Sequence, residues 1–185
     1  MKSKLAWIAA AFAITLATQC SAAPETVVYS HGAGFRVAVP AGWGKIKEND
    51  QVLLFCCNKK RLIEAGGYHH PLTIAQLKNL TEASSDSLLG KFKQEQLAIF
   101  NAENGIRDVT IVNEGKAQWA GHPAYQLQAR GYSDRLRQNV IMDVRMLLHK
   151  DNAMVYALAI QVPADEYAGD EALIRNVINS FQVID

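Results

Sequence analysis

The chain has 185 residues, 49% of them hydrophobic and 20% charged, with 19 basic and 18 acidic side chains. These proportions are those of an ordinary globular domain long enough to bury a core. The near-neutral balance leaves no basic stripe for nucleic acid and no long charge run for an anionic membrane surface, which excludes both classes of partner.

Lys2 and Lys4 precede an apolar run from Leu5 to Ala17, followed by Cys20, Ser21, Ala22, Ala23 and Pro24. Charged, apolar and small-residue segments in that order are the pattern of a secretory signal peptide, with cleavage expected after Ala22. The run is shorter than the roughly 20 residues of a bilayer span, so no membrane span is expected. A lipid anchor at Cys20 is disfavoured because Gln19 stands where a lipoprotein signal has a small residue. Residues 1–22 are therefore set apart as a signal, and 23–185 are expected to fold as one domain in the periplasm. Removing Lys2 and Lys4 from the 19 basic residues leaves 17 against 18 acidic ones, a net charge near −1.

In the expected mature chain, Thr26–Ser30 and Gly34–Val39 read as two short strands around a His31-Gly32-Ala33 turn, the second ended by Pro40. Trp43 sits in a Gly-Trp-Gly turn, either closing one end of the core or presented to a partner. Val52–Cys57 is strand-like. The segment Asn58–Pro71 (NKKRLIEAGGYHHP) reads as a loop because of Gly66, Gly67 and Pro71. Leu72–Leu77 alternates as a strand would.

A helix is expected over Ser85–Glu103, opened by serine hydroxyls and Asp86, with Leu88, Leu89, Phe92, Ile99 and Phe100 at helical spacing and Gly105 stopping it. Val109–Val112 and Gly115–Trp119 give one bent strand or two short ones, with a turn at Ala120-Gly121. From His122 to Val162 three long strands follow. In the middle one Val140, Met142, Val144, Met146 and Leu148 share a face, with Asn139, Asp143 and Arg145 opposite. The third places Met154, Tyr156, Leu158, Ile160 and Val162 on one face. A final helix carrying Leu173, Val177 and Phe181 is the expected cover for that apolar sheet, with Asp165, Glu166, Asp170 and Glu171 in its early turns.

No nucleophile elbow or zinc-protease pattern occurs, so no catalytic residue is assigned. Cys56 and Cys57 are neighbours in a strand, where side chains point to opposite faces; buried free thiols are favoured over a vicinal disulfide. His69 and His70 follow Tyr68 in the expected loop, at a spacing no standard metal site uses, so no metal and no cofactor is assigned. Asp143 and Arg145 suggest a charged pocket that Gln128 and Arg130 join, though such pairs on a solvent face more often bond across strands.

The phrases GFRVAVPAGW (34–43), AGHPAYQLQARGY (120–132) and the terminal NSFQV (179–183), in this order with a middle helix and a long strand pair, resemble the PsbP-like superfamily. The resemblance covers most of residues 26–184. It implies an α+β fold, an antiparallel β-sheet flanked by helices as an α/β/α sandwich, and a non-enzymatic role in binding a protein partner. One branch of that superfamily consists of periplasmic immunity proteins acting against peptidoglycan-targeting effectors, so an immunity protein or an envelope adaptor is the concrete expectation. The alternative is a small periplasmic enzyme or metal-handling protein using the Cys56–His70 region. Partner contacts are expected at Trp43, Tyr68, His69 and His70, on loops at the sheet ends, and at Arg130 on the polar face of the long strands.

Overall fold

The computed structural model describes residues 25–57, 60–102 and 105–184. The expected signal peptide, residues 1–22, lies outside the described residues. The chain opens with an antiparallel pair, β1 (Thr26–His31) and β2 (Phe35–Pro40), turned at Gly34, whose φ of 84° suits glycine. In β2 the alternation is clean: Phe35, Val37 and Val39 are fully buried. Trp43 is 7% exposed and joins the same core, so it closes the core end and is not an anchor standing free in solvent.

Next come β3 (Gly44–Glu48), β4 (Val52–Cys57) and β5 (Arg61–His69). The sequence did not announce β3: all its residues are exposed, so it carries no apolar alternation. It is a short, lysine-bearing edge strand with a register shift between Lys45 and Lys47, features that discourage pairing with another chain. The loop expected over 58–71 is overturned. Arg61–His69 is an interior strand, paired with β4 on one side and β9 (Met154–Pro163) on the other. Its two glycines answer to packing: a Cβ on Gly67 would stand 3.0 Å from the Tyr156 ring and 3.1 Å from the Ala33 Cβ.

The strand expected over Leu72–Leu77 is also corrected, to a short helix, α1 (Ile74–Lys78). Thr73 and Gln76 form a capping box: the Thr73 hydroxyl accepts the Gln76 N–H and the Gln76 side chain accepts the Thr73 N–H at 2.9 Å. Three intervals between a threonine and a glutamine are a helix signal that outweighs a short alternation. The long helix α2 (Glu82–Ala102) starts three residues earlier than expected, with the Thr81 hydroxyl accepting the Ser84 N–H. Of its expected apolar face, Leu88 packs beneath the helix, while the side chains of Leu89, Phe92, Ile99 and Phe100 lie outside the described residues.

The remaining strands are β6 (Ile106–Trp119), β7 (His122–Ser133), β8 (Gln138–His149) and β9, followed by α3 (Tyr167–Ser180) and a two-residue β10 (Gln182–Val183). β6 is one strand interrupted by two register shifts, and Ala120 (φ 51°) and Gly121 (φ 81°) make the two-residue turn into β7. The fold is α+β. A seven-stranded antiparallel sheet runs in the order β3-β4-β5-β9-β8-β7-β6, and a three-stranded sheet in the order β1-β2-β10.

The two faces of the large sheet are both buried, by different layers. Met142, Val144 and Met146 of β8 pair with Gln161, Ala159 and Ala157 of β9 and form one core with Leu127, Ala129 and, from α2, Leu97. Tyr156, Leu158 and Ile160 of β9 share the opposite face with Leu147 and are covered by α3 and the small sheet through Ile174, Val177, Phe181, Phe35 and Val37. The closing helix therefore covers the large residues of β9 and Leu147 of β8, but not Val140, Met142, Val144 and Met146, which belong to the α2 side. One consequence is that Asp143 and Arg145, expected on a solvent face, lie on the α3 side, with Asp143 only 6% exposed.

Candidate functional site

The structure gathers three of the expected contact residues in one place. Tyr68, His69 and His70 leave the end of β5 and line a groove of about 650 Å³ beside α2, walled by Leu72, Leu88, Met146 and Val155 and rimmed by Lys91 and Glu95. The Tyr68 ring lies over Gly66, which has no Cβ to obstruct it. His70 is fixed by its own turn: its N–H donates to Ala153 O at 2.7 Å, and its Nδ1 accepts the Leu72 N–H at 3.0 Å. Burial holds the His70 imidazole below the usual histidine range, partly opposed by Glu95, and an accepting Nδ1 agrees with the neutral ring. The groove combines apolar walls with one cationic and one anionic side chain at its mouth.

A second groove, of about 670 Å³, lies on the other face, between α3 and the β6–β7 turn. Its floor carries Asp143, Arg145 and Gln126 and its helix side carries Tyr167, Glu171 and Arg175. Here Tyr167 donates its hydroxyl to Asp143 Oδ2 at 2.9 Å, while the Gln128 amide donates to Tyr167 Oη at 2.6 Å. Burial, reinforced by the Asp143 carboxylate, pushes the Tyr167 phenol up to about 12. The folded value exceeds the ordinary value of 10, so this group's contribution to stability is complete below pH ~10 and is lost as the pH rises toward ~12. A spectrophotometric titration of tyrosinate absorbance should show a late phenol that Tyr167→Phe removes, beside that of Tyr125, which burial and Glu114 also raise, and the variant should lose the corresponding alkaline fall in stability. A Tyr167 phenol titrating at the ordinary value of 10 counts against this hydrogen bond.

The other expected residues lie apart. Arg130 is exposed and lines a separate hollow with Tyr132, Arg137 and Asp165, and Trp43 is in the core. Cys56 is a half-buried free thiol; the Cys57 side chain lies outside the described residues. Cys56 pairs with Leu62, at the opposite end of β5 from His69. Seven residues of strand separate those ends by ~23 Å at ~3.3 Å per residue, so Cys56 and His69 cannot share a metal ion. Among the described residues no group of three or more His, Cys, Asp or Glu is placed to hold a metal, and no helix is long and apolar enough to cross a membrane. The α3-side groove is half legible in the sequence: alternation groups Asp143, Arg145, Gln128 and Arg130, but nothing local shows that Tyr167 and α3 close over the first three.

A family model described as PsbP-like protein matches residues 13–183. No curated protein matches the chain. Among solved structures, cyanobacterial PsbP (CyanoP) from Synechocystis is similar at a TM-score of 0.59 and 15% identity, over 89% of this chain and 95% of that one. The Saccharomyces cerevisiae Ran-binding protein Mog1p is similar at 0.56 and 14%, over 88% and 97%. LpqN of Mycobacterium tuberculosis, involved in cell envelope biogenesis, is similar at 0.51 and 12%, over 87% and 91%. At these identities the likeness is one of fold.

Proposed function

This chain belongs to the PsbP-like protein family, and from that premise we propose that it is an exported, non-enzymatic domain that binds a protein partner stoichiometrically in the periplasm. In this reading residues 1–22 are removed as a signal and 23–185 form the domain. The concrete role is an immunity protein against a peptidoglycan-targeting effector or an envelope adaptor.

The observation that carries the reading is the groove at Tyr68, His69 and His70. Apolar walls from Leu72, Leu88, Met146 and Val155 under a charged rim follow the anatomy of protein interfaces, with an apolar centre and a polar margin. Support also comes from a fold relative that binds a protein, the Ran-binding Mog1p, and from one with an envelope role, LpqN. The test is affinity capture from a periplasmic extract followed by mass spectrometry, with a His69→Glu, Lys91→Glu double variant as comparison. One partner in equal amount, lost with the double variant at unchanged melting temperature, is expected. Turnover of cell-wall fragments by the purified protein, or no partner at all, overturns the proposal.

A further inference from the structure

On the face opposite the Tyr68–His70 groove, the guanidinium of Arg145 stands out. It is half-buried, and among the described residues its hydrogen bonding is confined to one bond, from Nη1 to its own neighbour Val144 O at 3.0 Å. A guanidinium has five N–H donors. The carboxylate two residues away does not take them up: Asp143 is engaged by the Tyr167 hydroxyl at Oδ2 and approached by the Gln128 amide at Oδ1. Burial lowers the Arg145 pKa from its ordinary value, partly opposed by the nearby Asp143 carboxylate and the Tyr167 phenol, so the site holds a partly desolvated cation with no carboxylate bonded to it among the described residues.

We propose that the groove between α3 and the β6–β7 turn is a carboxylate-recognition site, in which Arg145 takes an acidic side chain from an extended segment of a protein partner. Guanidinium and carboxylate match as a planar fork, and such charge-assisted bonds are the strong ones at interfaces. The surroundings select a single negative charge. Arg145 and Arg175 are balanced in the groove by Asp143 and Glu171, so a monoanionic carboxylate is accommodated while a phosphate dianion meets two carboxylates. The amides of Gln118, Gln126 and Asn179 line the same groove and can bond the main chain of an extended segment, since each both donates and accepts. This inference rests on the reading that the protein binds another protein, but concerns a different surface.

The test reads the groove directly. The 15N-labelled protein is titrated with a blocked pentapeptide of three glutamates between alanines, with its glutamine counterpart and with inorganic phosphate. The expected result is movement of the Arg145 Nε–Hε resonance and of the backbone amides at 118–121 and 171–179, with roughly tenfold or greater preference for the glutamate peptide. Arg145→Gln should abolish that preference. Glu171→Gln, on the exposed rim, should tighten the glutamate peptide by about threefold and keeps the test decisive if Arg145→Gln does not fold. Equal affinity for both peptides, equal competition by phosphate, or an unmoved Arg145 signal overturns the site. A partner captured equally by wild type and Arg145→Gln leaves the proposed function standing and removes this site; peptide binding without any captured partner does the reverse.

Discussion

Phe181→Ala is expected to destabilise the protein by about 3–5 kcal/mol, the range for emptying an aromatic position in a packed core. Phe181 is 1% exposed and sits where α3 ends. Its ring stacks on Phe35 at 5.4 Å, lies against Trp119 at 4.3 Å and meets Tyr156 at 6.1 Å. One side chain thus joins α3, the small sheet, the end of β6 and the centre of β9. The Trp119 indole N–H also donates to Ile178 O at 2.8 Å, so the ring cluster and the last turn of the helix are fastened together. No neighbour can collapse into the void without leaving another contact, which places the cost in the upper part of the large-to-small range. For a domain of this size the loss corresponds to a fall in melting temperature of about 6–20 °C. Calorimetry or urea unfolding measures it, and a cost below about 1 kcal/mol would falsify the central place assigned to this ring. Phe181→Leu should recover more than half of the loss, because it restores most of the volume.

Arg61→Ala should cost about 2–4 kcal/mol through a different mechanism. The Arg61 side chain, 20% exposed, reaches from β5 to the start of α3, donating from Nε to Asp170 Oδ2 at 2.6 Å and from Nη2 to Asp170 Oδ1 at 3.2 Å. The same Nη2 lies 2.6 Å from Glu166 Oε2. Removing the guanidinium leaves the Asp170 carboxylate, 12% exposed, without its forked partner. Breaking one side of a buried pair is costly because the other charge stays desolvated. The first turn of α3, where Asp170 sits, returns part of that cost through the helix dipole. Arg61→Lys should lose about half as much, since an ammonium cannot make both bonds at once. In the double variant Arg61→Met, Asp170→Leu the penalty should shrink below that of Arg61→Ala, because neither charge is then stranded. Additive losses in that cycle show that the pair is not coupled.

Arg61 also illustrates why the tertiary contacts are only partly legible in the sequence. In sequence it belongs to a Lys59-Lys60-Arg61 cluster of the kind that forms a solvated turn, and only the pairing of β5 with β9 brings it under α3. The two glycines after it read as breakers, yet Gly67 is the residue that lets Ala33 and Tyr156 approach the strand. Trp43 offered both a core and a surface reading, and packing decided for the core. Tyr68, His69 and His70 are adjacent in the chain and line one groove, but the apolar walls beside them come from α2, β8 and β9, far away in sequence.

Elements with a local, repeated signal are readable along the chain alone: the alternation of β2 and of the long strands β7, β8 and β9, the helical spacing of α3, and the glycine-bearing turn before β7. Which side of the sheet each apolar set faces follows only from how the strands and helices pack. Register is set between strands, and in an antiparallel pair it places Val144 beside Ala159 and Arg145 beside Leu158; a slip of one residue would exchange the two faces. That choice sends Met142, Val144 and Met146 of β8 toward α2 and Tyr156, Leu158 and Ile160 of β9 toward α3. It also leaves Asp143 and Arg145 half-roofed by Tyr167 and the closing helix, a charged groove where the strand pattern by itself pointed to solvent.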